Sequence, residues 1–145
     1  TNTGEAIGVT RAAMAEDMPV MISFTVETDG VLPTGQSLKE AIAEVDAATD
    51  NAQVYYMINC AHPTHFQHLL DSDEDWLLRI RGISANASCK SHAELDESVE
   101  LDDGNPVELA EQFRDIRRRQ KHINVLGGCC GTDPRHIDQI VSHCK

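Results

Sequence analysis

Helix-like and strand-like segments alternate along this chain, and this alternation constrains its fold more than any other feature. After a helical pattern over residues 5–16, four apolar strand segments are each followed by a predicted helix. The strands are predicted over residues 19–26, 54–60, 77–85 and 123–126. Repeated strand–helix units form a parallel sheet with right-handed crossovers. We therefore predict an α/β fold.

Cap residues and apolar spacing locate the helices within this pattern. Ser37 and Glu40 have the spacing of a capping box, and the apolar positions that follow recur every three or four residues. Asn105 and Pro106 start another predicted helix, and Pro134 starts the last one. The first strand opens with a continuous apolar run, which indicates a parallel sheet covered on both faces.

The charge balance excludes two classes of partner. Twelve lysines and arginines stand against 24 aspartates and glutamates, a net charge of -12 at pH 7. Such a chain repels nucleic-acid phosphates and anionic lipid surfaces. No apolar run approaches the ~20 residues that span a bilayer, and the N-terminal residues lack the pattern of a secretory signal. We predict a soluble, cytoplasmic protein with one domain over residues 1–145.

Three of the five cysteines stand at strand ends. Cys60 closes the second predicted strand, and Cys129 and Cys130 follow the fourth. Because the carboxyl ends of parallel strands meet at one edge of a sheet, we expect all three thiols at the same rim. Neighbouring strand residues point to opposite faces, and a kink at nearby glycines permits both thiols of the pair to face one point. These glycines are Gly127, Gly128 and Gly131.

A zinc site with three thiolate ligands is the interpretation that explains this pattern best. Thiolates at about 2.3 Å in a tetrahedral array are a usual environment for zinc, and an open fourth position marks a catalytic site. A disulfide between Cys129 and Cys130 is the alternative, although adjacent α-carbons, about 3.8 Å apart, are closer than unstrained bridges allow. Taken alone, Cys60 is more typical of a buried small apolar residue. A thiol-redox protein is a further hypothesis, without a Cys-x-x-Cys motif to support it.

The predicted site favours one kind of chemistry. Three thiolates make a bound zinc a weak Lewis acid that activates water poorly. A thiol that enters the fourth position loses its proton outright, whereas a free thiol, with a pKa of about 8.5, stays mostly protonated at neutral pH. A site of this kind supplies a sulfur nucleophile. The pattern therefore predicts an enzyme that transfers an alkyl group to a substrate thiol.

The same residues resemble a known family. The pair Asn59-Cys60 and the motif of residues 127–132, with a proline and a histidine behind it, are similar to those of the homocysteine S-methyltransferases. That family includes betaine–homocysteine methyltransferases and the homocysteine domain of cobalamin-dependent methionine synthase. The double-cysteine motif is highly specific, and the resemblance runs from about residue 5 to the C-terminus.

The resemblance implies a (β/α)8 barrel, homocysteine and a small methyl donor as substrates, and methionine as product. It also implies that Cys60, Cys129 and Cys130 hold a zinc ion. Asn86 resembles a position that can approach the zinc when substrate is absent. The residues that the resemblance places against the substrate are Asn59, Asn86, Gly127 and Gly128.

Length separates this chain from a complete barrel. A (β/α)8 barrel takes about 250 residues, whereas 145 residues with four strand–helix units are half of one. The resemblance maps the chain onto strands five to eight, the C-terminal half. The sequence opens on Thr1 rather than methionine, so we expect a processed start or a piece of a longer protein. An open half-barrel exposes sheet edges that favour pairing with a complementary half or with a second copy. A non-catalytic zinc-binding half-barrel is therefore the alternative function.

The histidines form a weaker pattern. His62, His65 and His68 recur every third residue around a predicted helix start, which suggests a second metal site. Because a spacing of three drifts around a helix, an exposed face with His62 near the rim is the preferred interpretation. His136 is predicted to support the first turn of the last helix.

Acidic residues and two further cysteines complete the candidates. Glu27 and Asp29 follow the first strand at the functional rim, either as substrate contacts or as solvated loop charges. The acidic segment over residues 88–103 lacks the glycine of a calcium-binding loop, and we predict a solvated loop. Cys89 and Cys144 stand outside the motif and are predicted to take no part in the site.

Overall fold

A four-stranded parallel sheet lies at the centre of the computed structural model, which describes residues 2–145. The strands are β1 (Met21–Thr25), β2 (Tyr55–Asn59), β3 (Ile80–Ala85) and β4 (Val125–Gly128). Each strand pairs in parallel with the next, in the order β1-β2-β3-β4. The predicted α/β fold is confirmed. Thr1, on which the prediction about the start of the chain rests, lies outside the described residues.

Six α-helices connect or flank the strands in the described part of the chain. They are α1 (Thr3–Ala15), α2 (Leu38–Thr49), α3 (Pro63–Phe66), α4 (His92–Asp96), α5 (Pro106–Arg119) and α6 (Pro134–His143). Two 3-10 helices, Gln67–Asp71 and Asp75–Arg79, lie between α3 and β3. Helix α1 packs against α2, and α5 packs against α6. Among the described residues, no helix is both long and apolar enough to cross a bilayer.

The predicted helix caps form as expected. The Ser37 hydroxyl accepts a hydrogen bond from the Glu40 amide, and the Glu40 carboxylate accepts one from the Ser37 amide. Both otherwise unpaired amide groups are thereby satisfied at the start of α2. Asn105 caps α5 through the amides of Val107 and Glu108.

The strand boundaries differ most from the predicted ones at β3 and β4. Residues 75–79 form a 3-10 helix, so β3 begins at Ile80 and Leu78 stays 60% exposed. The last strand, predicted over residues 123–126, instead covers Val125–Gly128. Ile123 lies in the turn after α5, where its amide donates to the Gln120 carbonyl. Pairing with β3 then starts at Val125 and continues to the glycines before the cysteine pair.

The apolar core lies on one face of the sheet. Along β1, Ile22 and Phe24 are buried, whereas Met21 is 53% exposed and Ser23 is half-buried. The same alternation runs through β2. The prediction of a sheet covered on both faces is therefore wrong in this chain. Four neighbouring parallel strands with one open face are compatible with a partial (β/α)8 barrel, and the assignment to strands five to eight stays a prediction.

Candidate metal centre

The structure brings three thiols from two separate segments together at the carboxyl edge of the sheet. Cys60 directly follows β2, and Cys129 and Cys130 directly follow β4. Their Sγ atoms all lie within 4.8 Å of one another. Strands β2 and β4 do not pair, and β3 lies between them. The cluster therefore depends on the backbone turning inward at both strand ends.

The backbone conformation at each strand end accounts for the turn. Cys60 has a φ of 53°, in the left-handed region that non-glycine residues rarely adopt. After the cysteine pair, Gly131 has a φ of 77°, and its position is so close to the Asp102 carbonyl that a Cβ would lie 2.6 Å from it. The Cys129 amide donates to the Ala85 carbonyl at 2.7 Å, which extends the β3 pairing to the first thiol.

Asn86 connects the two segments that carry the thiols. Its side-chain nitrogen donates to the Cys60 carbonyl, and its side-chain oxygen accepts from the Cys130 amide, both at 3.1 Å. The residue is 2% exposed. Asn86 thus lies beside the thiol cluster, with its amide group engaged by the backbone of two of the three cysteines. Its role toward a metal or a substrate stays a prediction.

The surroundings of Cys129 favour its uncharged thiol in the absence of a cation. Burial raises the pKa of the Cys129 thiol to about 12, and a hydrogen bond from Cys60 and the neighbouring sulfurs add to this effect. The five cysteines are free thiols. The Cys129 and Cys130 sulfurs lie 3.9 Å apart, so the two are not joined by the disulfide considered as an alternative.

The thiol geometry fits a tetrahedral divalent ion. Two thiolates bound at about 2.3 Å in a tetrahedral array have sulfurs about 3.8 Å apart. The measured Cys129–Cys130 separation of 3.9 Å is close to this value. A divalent cation also reverses the pKa balance, because it stabilises the thiolate form. Cys60, Cys129 and Cys130 are therefore placed to hold a metal ion, and three protein ligands leave a fourth position for another group.

The acidic segment is more ordered than a solvated loop. It contains α4, and Ser91 and Glu94 form a capping box at the start of that helix. His92 in its first turn contacts the Cys60 carbonyl at 2.6 Å through Nε2 and the Glu27 carboxylate at 3.2 Å through Nδ1. The prediction of a loop is therefore wrong for this part, whereas its acidic side chains are exposed to solvent as predicted. The Ser91–Glu94 spacing is the sequence signal that would have revealed the helix.

Hydrogen bonds at His92 favour its charged ring. Partial burial disfavours the imidazolium, but the Cys60 carbonyl and the Glu27 carboxylate outweigh it and raise the pKa of His92. Glu27 is thus engaged at the rim by a protein side chain. Asp29 accepts a hydrogen bond from the Val31 amide and shapes its own loop.

A cavity of about 380 Å³ opens beside the second cysteine of the pair. The acidic segment supplies most of its wall, with both apolar and carboxylate side chains. Asn86, Cys130 and Gly131 line the end nearest the thiol cluster. Residues of the acidic segment that line it include Leu95, Asp96, Val99, Glu100 and Leu101. The cavity is large enough for a small organic molecule next to the thiols.

The other predicted contact residues lie along the same edge. The Asn59 side-chain oxygen accepts a hydrogen bond from Ser23 at 2.8 Å, across the β1–β2 pair. A Cβ on Gly128 would lie 2.1 Å from the Thr132 hydroxyl oxygen, so only glycine fits that position. Gly127 has no atom within 4 Å of an added Cβ. Of the two glycines, only Gly128 is required by the tight turn.

The histidines differ from the prediction of an exposed face. His62 and His65 are each 7% exposed, and only His68 faces solvent. His65 Nε2 contacts the Cys89 carbonyl at 2.9 Å, and burial lowers the pKa of His62 to about 4, with His65 adding to the effect. Because the segment that carries Cys89 packs against His65, the prediction that these histidines lie on an exposed face is wrong for His62 and His65.

His136 supports the first turn of α6, as predicted. Its Nδ1 accepts a hydrogen bond from the Asp133 amide, and its Nε2 contacts the Asp103 carbonyl at 2.8 Å. The ring is fully buried. It therefore connects the end of the acidic segment to the helix that follows the cysteine pair.

The fold and the site together define a class of protein: an α/β protein with a three-thiol candidate metal centre at the carboxyl edge of a parallel sheet. The family model described as homocysteine S-methyltransferase matches residues 1–144. The chain belongs to the homocysteine S-methyltransferase family, and the resemblance noted in the sequence is confirmed. A search of curated proteins returned no significant match.

Proposed function

We propose that this chain carries the zinc-binding part of an enzyme that transfers a methyl group to the thiol of homocysteine and releases methionine. The observation that carries the proposal is the cluster of Cys60, Cys129 and Cys130 sulfurs within 4.8 Å of one another in a chain of this family. Zinc is the metal that a set of three thiolates at tetrahedral spacing favours. When bound, zinc supplies the positive charge that removes the proton from an incoming thiol.

The residues of the chain have separate roles in this proposal. The three cysteines hold the ion, and Asn59, Gly127 and Gly128 form the floor of the site near them. The cavity beside Cys130 has room for part of the substrates. The cavity reaches the proposed zinc ligands at Cys130.

The reaction is a substitution at a methyl carbon. The homocysteine thiol gives its proton to solvent, and its sulfur attacks the methyl group of a small donor. A sulfur–carbon bond forms as the bond between the methyl carbon and the donor atom breaks, and the electron pair leaves with the donor. The thiols must stay reduced throughout, which suits a cytoplasmic location.

Metal analysis and a methylation assay test the proposal. The purified chain is expected to hold one zinc ion, and Cys129→Ser is expected to lose it. Cys89→Ser, which changes an exposed cysteine outside the cluster, is the matched control and keeps the metal. Homocysteine and a methylated sulfonium or betaine donor then yield methionine only with the metal-loaded protein. The proposal is contradicted if the wild-type chain binds no zinc when the metal is supplied at micromolar concentrations.

A second candidate function is a non-catalytic zinc-binding half-barrel that needs a complementary half or a second copy. The observation in its favour is the open face of the sheet, where Met21 is 53% exposed at the β1 edge. This candidate predicts zinc binding without methyl transfer by the chain alone. Methionine formation by the isolated, monomeric chain would exclude it.

A further inference from the structure

Two side chains from the segment after β3 converge on a single backbone group of the thiol cluster. The Cys60 carbonyl accepts a hydrogen bond from Asn86 at 3.1 Å and contacts His92 Nε2 at 2.6 Å. Asn86 also binds the Cys130 amide at 3.1 Å. Asn86 therefore spans the gap between the two segments that supply the sulfurs, and His92 holds the same carbonyl from the side of α4.

The Cys60 backbone needs such support. A φ of 53° is unfavourable for a residue with a Cβ and persists only where the surroundings hold it. The side chain of Cys60 leaves β2 in the direction that this conformation sets. A change in the orientation of the Cys60 peptide therefore moves its sulfur relative to the pair after β4.

The burial of Asn86 indicates that its position is specified. A buried side-chain amide is costly unless both its donor and its acceptor are satisfied. Within residues 2–145, the hydrogen bonds of the Asn86 side chain go to Cys60 and Cys130. A residue that served only the packing of its own segment would not need hydrogen-bond partners in both of the segments that carry the thiols.

We propose that Asn86 and His92 are positioning residues that set the distance between the Cys60 sulfur and the Cys129–Cys130 pair before a metal ion binds. This inference rests on the proposed function, because it takes the three cysteines as metal ligands. The hydrogen bonds define the backbone geometry in advance, so less ordering is needed when the ion binds. Groups that orient metal ligands in this way typically change metal affinity about 10–100-fold when they are removed.

Zinc titration against a chromophoric chelator tests the proposal on the full chain. Asn86→Ala is expected to weaken zinc binding about 10–100-fold, because both links between the segments are lost. His92→Leu is expected to weaken it in the same direction. His92→Gln, whose side-chain nitrogen still reaches the Cys60 carbonyl, is expected to restore most of the affinity. Thermal unfolding of each metal-free variant verifies that it is folded.

Ser88→Ala is the matched control. Its hydroxyl donates to the Asp102 carboxylate within the same segment, and the residue is buried, but its side chain forms no hydrogen bond with any of the three cysteines. We expect its zinc affinity to equal that of the wild type. If Asn86→Ala fails to fold, the zinc affinities of His92→Leu and His92→Gln test the positioning role, which requires weaker binding in His92→Leu than in His92→Gln.

The outcomes separate this inference from the proposed function. A wild-type chain that binds no zinc overturns both. A wild-type chain that binds zinc, together with folded Asn86→Ala and His92→Leu variants of unchanged affinity, overturns the positioning role alone. Equal loss of affinity in Ser88→Ala also overturns it, because the effect then belongs to the whole segment.

Discussion

At the scale of single residues, the turn after β4 depends on close backbone approaches. Thr132 donates its hydroxyl to the Cys129 carbonyl at 2.7 Å, which holds the cysteine pair in its turn. Gly128 makes room for that threonine. Three residues later in the chain, Gly131 takes a left-handed conformation against the Asp102 carbonyl. The Cys129 and Cys130 sulfurs are thus positioned by a turn that needs glycine on either side of the cysteine pair.

The adjacent glycines provide a direct test of this point. Gly128→Ala is expected to lower the free energy of unfolding by about 1–3 kcal/mol, because the new Cβ overlaps Thr132. Zinc affinity should fall with it, since the turn that presents the sulfurs must shift. Gly127→Ala in the same strand meets no atom within 4 Å and is expected to change stability by less than about 0.5 kcal/mol. Urea unfolding measures the stability of both variants. Equal stabilities of the two variants would contradict the close approach.

At the scale of elements, three hydrogen-bonded polar side chains, partly buried, join β2, α2 and the turn before β3. The Tyr56 hydroxyl donates to the Asp46 carboxylate at 2.8 Å, and Arg79 binds the same carboxylate with two nitrogens. The Arg79 guanidinium also lies 5.3 Å from the centre of the Tyr56 ring. Arg79 ends the 3-10 helix that replaces the predicted start of β3.

Removal of the hydroxyl tests this junction and its pH dependence. Tyr56→Phe is expected to lower the free energy of unfolding by roughly 1.5 kcal/mol near neutral pH, the size of a hydrogen bond to a charged group. Burial, then the Asp46 hydrogen bond, raise the pKa of Tyr56 from its ordinary value of 10.0.

The sign of the pH effect follows from that shift. Above about pH 10 the unfolded tyrosine loses its proton while the folded one keeps it, so the folded state binds more protons. The Tyr56 contribution to the free energy of unfolding then falls as pH rises, and Tyr56→Phe lacks this contribution. The difference in unfolding free energy between wild type and Tyr56→Phe should therefore hold up to about pH 10 and narrow above it in urea unfolding. A constant difference would exclude a raised pKa.

At the scale of the whole molecule, the sheet has two outer strands and one open face within the described residues. Strand β1 pairs only with β2, and β4 only with β3. Apolar side chains lie at both outer strands, with Met21 53% and Val125 38% exposed. Unpaired strand edges and exposed apolar surface favour association with another chain. The net charge of -12 opposes close approach of two copies, so salt should promote it.

Sedimentation tests the open edges. The 16.0 kDa chain is expected to associate at micromolar concentrations, more strongly as salt rises, or to pair with a complementary half-barrel when one is supplied. Met21→Lys and Val125→Lys place charges at the two edges and should shift the chain toward monomer. Leu78→Lys changes an apolar residue, 60% exposed, in a 3-10 helix outside the two edge strands and should leave association unchanged. A monomer at every concentration would contradict the prediction.

Local patterns in the sequence were sufficient for the order of the four strands, for the main helix caps and for the three cysteines, out of five, that meet at one edge of the sheet. Each depends on residues close together in the chain, such as the Ser37–Glu40 spacing, or on strand ends that a parallel sheet must bring to one edge. Only the tertiary structure decided which face of the sheet is covered, that His62 and His65 are buried, and that Asn86 joins Cys60 to Cys130. Those features depend on segments that meet across the fold: the Asn86 contacts join residues 26 and 44 positions apart. No periodicity or cap signal records such a contact, because its energy depends on the packing of every element between the two residues.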